Sequence, residues 1–345
     1  MYFNKRKQRN RILLTLTLAI CSVALAAAPK PNAQMKSILD DLQSKNGKSI
    51  ETLTAEEARK QPSPADAVQD VLLKEKGSAA PETVAKVQNI EIEGAAGKIP
   101  ARVYTPSGKV PMPMILYFHG GGFVIATNDT YDATPRALAN LTGAIVISPE
   151  YRKGPEHKFP AAHEDANAAY LWVLKNAVSL GGNAQKIAVA GESAGGNLAL
   201  NVALYARDHK IQLPTHELLV YPVAGNNMDT KSYQANADAK PLNKAMMKWF
   251  FANYTRTSED QNDLRLNLIK ADFHGLKPAT IITAEIDPLQ SEGKELALQL
   301  QKQGVKTDYH NYDGVTHEFF GMAAVVDQAK RAQKVASDDL RGSFQ

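Results

Sequence analysis

The feature that most constrains this chain is the alternation of short apolar runs with segments of helical length, from about residue 87 onward. Apolar runs without a polar face are typical of strands that are buried on both sides of a sheet. Five runs have this character: MPMILYF, TGAIVIS, KIAVAGE, LLVYPVAG and PATIITAEI. Helical stretches at 161–177, 193–207 and 293–304 alternate with them. This alternation predicts a mostly parallel, doubly wound α/β sheet with helices on its faces.

Three further segments complete a predicted sheet of eight strands. VQNIEIEG and IPARVYTP alternate apolar and polar residues with period two and are separated by a glycine-containing turn, a pattern typical of an antiparallel pair. VKTDYHNYDG is the last segment and is more polar than the others. Its polarity predicts a strand at an edge of the sheet.

Two segments outside this alternation are predicted to form a helical cap. Residues 27–85 have helical spacing but few large apolar residues, and a capping box at Thr54 and Glu57 marks one helix start. The connection between two strands is unusually long and contains an insertion at about 226–265. Six large apolar side chains lie within nine residues of it: Met246, Met247, Trp249, Phe250, Phe251 and Tyr254. We expect half of them simply to pack in the core. The alternative is that this helix and the N-terminal segment form a cap that lines an apolar pocket of the main domain at 86–345.

The N-terminus has the pattern of a secretory signal peptide. Five cations occur there without an acid: Lys5, Arg6, Lys7, Arg9 and Arg11. An apolar run follows, and Ala24-Leu25-Ala26 fits the small-x-small cleavage rule. We therefore expect a leader at 1–26 and an exported protein, periplasmic or secreted. Two alternatives stay open, an uncleaved membrane anchor and a lipid anchor at Cys21.

Charge and cysteine content argue against several classes of function. The chain of 345 residues has a formal net charge of +4, and loss of the five leader cations changes it to −1. A basic nucleic-acid-binding surface is therefore not expected. Cys21 is the only cysteine, so we expect no disulfide, no reactive thiol and no cysteine-based zinc site after cleavage. Beyond the leader no run approaches the roughly 18 apolar residues of a membrane-spanning helix, so no stable span is expected.

The stretch VAGESAGGNLAL at 189–200 places Ser193 between two glycines, where an apolar strand must become a helix. Gly-x-Ser-x-Gly in this setting is typical of a nucleophile elbow, which exposes the serine hydroxyl above the strand end. The helix N-terminus favours negative charge that develops there. By itself the motif leaves two interpretations open, because serine is also a good helix-capping residue.

Three consecutive glycines in HGGGFV, residues 119–124, directly follow an apolar strand. Glycines leave backbone N–H groups accessible, and a tetrahedral intermediate needs such donors around its oxygen anion. A phosphate-binding loop is disfavoured because no lysine follows the glycines. We predict an oxyanion hole formed by the backbone N–H groups of Gly121, Gly122 and Ala194. His119 and Gly120 begin the motif that contains the first two of these residues.

An acid and a histidine follow later strands of the predicted sheet. Asp287 comes after ATIIT and before a proline, and Glu285 and Glu292 are alternative acids nearby. His317 lies between the last predicted strand and a helical stretch at 323–340. The chain order serine, acid, histidine is a known order for a catalytic triad, so the four motifs support one another.

With these motifs in place, the chain resembles the hormone-sensitive-lipase-like branch of the α/β-hydrolases, which contains bacterial carboxylesterases and short-acyl lipases. The resemblance covers about residues 90–335. YRKGPEHKFPAA is similar to the family's Tyr-Arg-Leu-Ala-Pro-Glu block, GESAGGNLA to its Gly-Asp-Ser-Ala-Gly-Gly-Asn-Leu-Ala, and DPLQSEG to its Asp-Pro-Leu-x-Asp-Glu-Gly. The chain departs from these patterns at Lys153, Gly154, Glu192 and Ser291.

The resemblance implies an α/β-hydrolase fold and a serine carboxylesterase or lipase that acts on small, short-acyl esters. Carried onto this chain, Ser193 attacks the ester carbonyl, His317 takes its proton, and Asp287 holds the imidazole. Neither a metal nor an organic cofactor is needed for this chemistry. Three further side chains are expected to form a structural network behind the glycine loop: Tyr151, Arg152 and Glu156.

Two other functions stay as alternatives at the level of sequence. A non-catalytic ligand-binding protein on the same scaffold predicts the loss of a triad member, and all three members are present. A serine peptidase or amidase would use the same triad, but that class lacks the HGGG block in this position. The expected partner is a small-molecule ester, without nucleic acid, and a homodimer stays open.

Overall fold

The computed structural model describes residues 1–2 and 29–345. Apart from its first two residues, the expected leader lies outside the described residues, as do its cleavage site after Ala26 and the alternative lipid anchor at Cys21. Over the described part of the chain, every helix is too short or too polar to cross a bilayer.

An eight-stranded sheet forms the centre of the described structure, as predicted. Its strands are β1 Lys86–Gly94, β2 Gly97–Thr105, β3 Met112–Phe118, β4 Ile145–Pro149, β5 Gly182–Glu192, β6 Glu217–Val220, β7 Ala279–Ile286 and β8 Thr307–Thr316. They lie in the order β1-β2-β4-β3-β5-β6-β7-β8. β2 is antiparallel to β1 and β4, and all other neighbours are parallel. The predicted antiparallel pair and polar edge strand are confirmed.

Ten helices surround this sheet in the described residues. They are α1 Ala33–Ser44, α2 Ala55–Ala58, α3 Pro64–Lys76, α4 Ala133–Thr142, α5 Ala161–Asn176, α6 Ala194–Asp208, α7 Lys231–Ala235, α8 Lys244–Tyr254, α9 Gln290–Lys302 and α10 Asp327–Ser343. The helical stretches predicted at 161–177, 193–207 and 293–304 correspond to α5, α6 and α9. The capping box at Thr54 and Glu57 is present at the start of α2.

Two helices differ from the sequence prediction. Helix α4 is not predicted, because its residues ATPRALANLT include a proline, two threonines and an asparagine, all poor helix formers. The C-terminal helix begins at Asp327, four residues after the predicted start, because Val326 is extended and Phe319–Met322 form a separate 3₁₀ turn. In both places tertiary packing overrides the local signal.

The sheet separates two hydrophobic cores, which explains the unbroken apolar runs. Alternate side chains of a strand point to opposite faces. In β3, Leu116 and Phe118 belong to one core, whereas Ile115 and Tyr117 belong to the other. Buried strands of this kind hold their C-terminal ends in fixed positions, and the ends of β3, β5, β7 and β8 carry the predicted site residues.

The N-terminal segment and the insertion meet above these strand ends. Trp249 Nε1 on α8 donates to the carbonyl oxygen of Leu53, just before α2, at 3.0 Å. Helix α8 thus packs beside the segment that contains α2. The boundaries 27–85 and 226–265 for a cap stay predictions.

Candidate active site

Ser193 lies in a strained turn between the end of β5 and the start of α6. Its backbone has φ 56° and ψ −117°, a sparsely populated conformation that costs about 1–3 kcal/mol. Ser193 N–H donates to the Val220 carbonyl at 2.9 Å, and the Ser193 carbonyl accepts from Asn197 N–H at 3.2 Å. The Ser193 side chain makes no capping hydrogen bond to α6. This removes the helix-cap interpretation and leaves the hydroxyl available for another partner.

The glycine at position 195 lets this turn pack directly on the end of β3. A Cβ atom there would lie 2.0 Å from the carbonyl oxygen of Phe118 and 2.6 Å from that of His119. No side chain fits in this space. The first turn of α6 therefore sits against the residues that begin the glycine loop.

Ser193, His317 and Asp287 form a continuous hydrogen-bonded chain. Ser193 Oγ lies 3.0 Å from His317 Nε2, and His317 Nδ1 lies 2.6 Å from Asp287 Oδ2. The second carboxylate oxygen of Asp287 accepts from Leu289 N–H at 2.9 Å, which fixes the carboxylate plane. Burial opposes the charged imidazolium, but the facing Asp287 outweighs it and raises the pKa of His317.

The two alternative acids have other partners. Glu285 accepts from the backbone N–H of Gly314 at 2.8 Å. Glu292 Oε1 accepts from Ala224 N–H at 2.9 Å and from the next N–H at 3.3 Å. Burial raises the pKa of Glu292 to about 8. Of the three acids in this stretch, Asp287 is the one that the structure brings to His317.

The glycine loop presents unpartnered backbone donors beside Ser193. Gly121 and Gly122 have φ 97° and 58°. The N–H groups of Gly121, Gly122 and Ala194 donate to no other residue in the described ranges. The Gly121 carbonyl, by contrast, accepts from two N–H groups further along the loop at 3.0 and 2.9 Å, which closes a tight turn. Gly121, Gly122 and Ser193 line the same cavity.

A polar network supports the loop from behind. Tyr151 O–H donates to the His119 carbonyl at 2.9 Å. Arg59 of the N-terminal segment donates from Nε to the Val124 carbonyl at 2.9 Å and pairs with both oxygens of Glu156 at 2.7 Å. Sequence reasoning predicted Tyr151 and Glu156 for this network but missed Arg59, which has no local motif.

Arg152 belongs to a neighbouring ion pair rather than to the loop itself. Its Nε donates to Asp165 on α5 at 2.8 Å, and its backbone N–H donates to the same carboxylate at 2.9 Å. Asp165 also accepts from Ala95 N–H at 2.9 Å. Asp165 on α5 therefore joins Arg152, just after β4, to the β1–β2 turn.

Two tyrosines near His317 were also missed. The Tyr221 ring packs on the His317 ring with centroids 4.4 Å apart. Tyr131 O–H donates to Glu318 at 2.7 Å, which links the segment after the glycine loop to the histidine loop. Both contacts join residues far apart in the chain, so no spacing rule could find them.

A cavity of about 1000 Å³ opens in front of Ser193. Met246, Met247 and Phe250 of α8 line it, and Met247 and Phe250 also belong to the buried core. A Cβ atom on Gly122 would meet the Phe250 ring at 2.2 Å, so α8 packs directly on the glycine loop. The described residues contain no cluster of three or more His, Cys, Asp or Glu side chains that could hold a metal ion.

The match to known proteins covers the elements that carry this site. A family model described as the alpha/beta hydrolase fold matches residues 115–321, from β3 to the turn after His317. This span is more than half of the chain. The chain belongs to the α/β-hydrolase fold family.

Similar proteins place this α/β-hydrolase among the esterases. It is 39% identical over 239 residues to carboxylesterase NlhH from Mycobacterium tuberculosis, covering 68% of this chain and 75% of the relative. It is 33% identical over 236 residues to ethyl acetate hydrolase from Pseudomonas putida, covering 67% and 74%. The structure of a hyperthermophilic esterase from Pyrobaculum calidifontis matches with a TM-score of 0.83 at 35% identity, over 91% of this chain and 98% of that one.

The family and its relatives define the class of reaction. This α/β-hydrolase is a serine carboxylic ester hydrolase of the hormone-sensitive-lipase-like branch. None of these relatives favours the ligand-binding or peptidase alternative.

Proposed function

We propose that this α/β-hydrolase cleaves small, short-acyl carboxylic esters through an acyl-enzyme on Ser193, with His317 as general base and Asp287 as its orienting acid. The observation that carries the proposal is the hydrogen-bonded chain of 3.0 Å from Ser193 Oγ to His317 Nε2 and 2.6 Å from His317 Nδ1 to Asp287. A nucleophile, a base within reach and a group that orients the base are the parts that acyl transfer needs.

Acylation begins when Ser193 Oγ attacks the ester carbonyl carbon and its proton passes to His317 Nε2. The tetrahedral intermediate collapses, the bond to the alcohol oxygen breaks, and His317 gives its proton to that oxygen. Water then attacks the acyl-enzyme carbonyl while His317 accepts a proton from it. Collapse releases the carboxylic acid and returns the proton to Ser193. Asp287 orients the imidazole throughout and stabilises the imidazolium.

The negative oxygen of each intermediate is held by the backbone N–H groups of Gly121, Gly122 and Ala194. Support comes from the lack of partners for these three N–H groups among the described residues. Gly121 and Gly122 also line the cavity at Ser193, and Ala194 is the next residue after Ser193. Donors that are fixed before the reaction stabilise the developing charge without reorganisation, and one such donor contributes about 10²–10³-fold to kcat.

The cavity supports a short acyl group and a larger alcohol. Phe250 packs against Gly122 and limits the space beside the proposed oxyanion hole. The whole cavity, at about 1000 Å³, is large enough for a ligand of drug size. The similarity to a relative named ethyl acetate hydrolase also favours a short acyl chain.

The test is hydrolysis of nitrophenyl acetate, butyrate and octanoate by matched serine variants. Ser193→Ala should lower kcat by at least about 10³-fold, because the nucleophile is removed. Ser179→Ala is the control, since this exposed serine lies before the opposite end of the same strand β5. Equal activity in Ser193→Ala and wild type would overturn the mechanism. Faster hydrolysis of the octanoate than of the acetate and butyrate would overturn the proposed preference for short acyl chains.

We also propose that the enzyme is exported by a leader at 1–26. The support is the basic start, the apolar run and Ala24-Leu25-Ala26. N-terminal sequencing of the protein from a periplasmic or culture fraction should begin at about residue 27. A cell-associated protein that begins at Met1 would contradict cleavage, and a lipid on Cys21 would support the lipid anchor instead.

A further inference from the structure

Glu192 is a fully buried carboxyl group that the mechanism above does not use. It immediately precedes Ser193, and only 1% of its surface is exposed. Two phenols donate to its two oxygens: Tyr117 to Oε1 at 2.6 Å, and Tyr221 to Oε2. Burial outweighs these two hydrogen bonds and raises the pKa of Glu192 to about 7. Burying a carboxyl group is costly, so its two matched donors point to a defined role.

Tyr221, one of these donors, is held in a strained backbone conformation. It follows β6 directly and has φ 34°, in the left-handed region that bulky residues rarely adopt. Its backbone N–H donates to the Ile282 carbonyl of β7 at 2.5 Å. Strain of this kind persists only where surrounding contacts hold it. Here it turns the aromatic ring toward His317, with ring centroids 4.4 Å apart and an angle of 47° between the planes.

We propose that Glu192 is a positioning residue for ester hydrolysis: it anchors the Tyr221 hydroxyl, and the Tyr221 ring keeps the His317 imidazole aimed at Ser193. The inference rests on the proposed function of these residues. Asp287 holds the Nδ1 edge of the imidazole and Ser193 Oγ meets the Nε2 edge, but these two hydrogen bonds leave the ring able to tilt about the line that joins its nitrogens. Contact with the inclined Tyr221 ring restricts this tilt, and the hydrogen bond to the Glu192 carboxyl prevents the Tyr221 ring from swinging away in response.

The same arrangement favours the imidazolium that forms during the reaction. The charged and titratable groups facing His317 are Asp287, Glu318, Glu192 and the Tyr221 phenol. Three of these groups are acids, and the two glutamates raise the pKa of His317 in the same direction as Asp287.

The chain offers a matched pair of variants for the test. Tyr221→Phe and Tyr117→Phe each remove one hydroxyl that donates to the Glu192 carboxyl, but only Tyr221 touches His317. A purely structural role for the Glu192 cluster would therefore affect both variants alike. The measurement is steady-state hydrolysis of nitrophenyl acetate, with thermal melting of each variant.

Tyr221→Phe should lower kcat by about tenfold with KM within about twofold, because a misdirected base slows proton transfer more than binding. Tyr117→Phe should keep kcat within about twofold of the wild type, although both melting temperatures fall by similar amounts. Equal kcat in the two variants would overturn the inference.

Variants of Glu192 give an independent readout. Glu192→Leu removes the anchor and should match Tyr221→Phe in kcat, and the double variant should be no slower than either single one, as for residues that act together. Glu192→Gln keeps an oxygen and the shape of the side chain, so it should recover most of kcat while the acid limb of its pH profile moves to lower pH. If Glu192→Leu does not fold, the comparison of kcat between Tyr221→Phe and Tyr117→Phe tests the inference by itself. Loss of activity in Ser193→Ala with no difference between the tyrosine variants would refute this inference and leave the proposed function intact.

Discussion

Three residues that end strands at the site have positive φ angles although none is glycine. Ser193 follows β5 with φ 56°, Tyr221 follows β6 with φ 34°, and Glu318 follows His317 after β8 with φ 71°. Each such residue costs about 1–3 kcal/mol. Their side chains hydrogen-bond to His317, pack on it or flank it in the chain. At the scale of single residues, local strain therefore aims the groups of the site at one another.

The pH dependence of the reaction should report the pairing of His317 with Asp287. Asp287 raises the pKa of His317 from its ordinary value of 6.5, and only the neutral imidazole can accept the Ser193 proton. The kcat/KM should therefore fall as the pH falls through this raised pKa. Asp287→Asn removes the negative charge, so the acid limb of the kcat/KM profile, where activity falls with falling pH, should move to lower pH. In the same variant kcat should fall by about 10⁴-fold.

The control for this pH profile is Glu285→Gln. Glu285 lies two residues from Asp287 but binds the backbone N–H of Gly314 instead. Its variant should leave the acid limb in place. If the acid limb moves in Glu285→Gln and stays fixed in Asp287→Asn, Glu285 and not Asp287 is the acid that pairs with His317.

Glu292 should make the protein less stable as the pH rises. Its pKa in the folded protein is raised to about 8 by burial, against an ordinary value of 4.5. Its stabilising contribution is therefore complete below pH 4.5 and is lost as the pH rises toward 8. Glu292→Gln cannot ionise and should gain in melting temperature relative to the wild type between pH 5 and pH 8. A difference that is constant with pH would contradict this account.

At the scale of elements, the sequence predicts most of the sheet but not where each element ends. Seven strands follow from apolar or alternating runs, since burial on one or two faces leaves a clear pattern, and the more polar β8 follows from its place at an edge of the sheet. The run LLVYPVAG, however, gives a strand that stops at Val220, because Tyr221 turns into the left-handed region. Helix α4 is not predicted because its residues have low helix propensity. Packing against the rest of the fold nevertheless makes them helical.

Helix α8 should set the acyl-chain preference through Phe250. Its ring fills the space beside Gly122, so Phe250→Ala should raise kcat/KM for nitrophenyl octanoate relative to acetate by about tenfold or more. Phe251→Ala is the control, because Phe251 is buried in the core and does not line the cavity. Both variants should lose about 3–5 kcal/mol of unfolding free energy. An equal change of preference in both would contradict a specific role for Phe250.

Arg59, directly after helix α2, should stabilise the glycine loop. Arg59→Lys loses the planar fork that binds Glu156 and the Val124 carbonyl, so the free energy of unfolding should fall by about 1 kcal/mol and kcat/KM should fall with it. Lys60 is the matched control on the same turn. It pairs with Glu56 at the exposed surface, and Lys60→Ala should change stability by less than about 0.5 kcal/mol in a urea titration. Equal losses in the two variants would refute the Arg59 contact as a support of the loop.

At the scale of the whole molecule, the site is assembled from segments that are far apart in the chain. The Ser193, Asp287 and His317 motifs could be read from the sequence because each follows a strand in the parallel part of the sheet, where strand ends meet at one edge. Arg59 and Tyr221 could not, because their roles depend on contacts with residues 29 or more positions away. Local sequence patterns indicate which strand end a residue occupies. Contacts between residues that are far apart in the sequence become visible only in the folded structure.

The central claim is that Ser193 forms the covalent intermediate, and the most direct test is labelling with a nitrophenyl dialkyl phosphate. Such a compound phosphorylates an activated serine and releases nitrophenol, and the adduct is stable enough for mass spectrometry of intact protein and of peptides. The account predicts one adduct per chain on the peptide that contains Ser193, none in Ser193→Ala, and loss of ester hydrolysis in proportion to labelling. An adduct on another residue, or full hydrolysis by labelled protein, would contradict it.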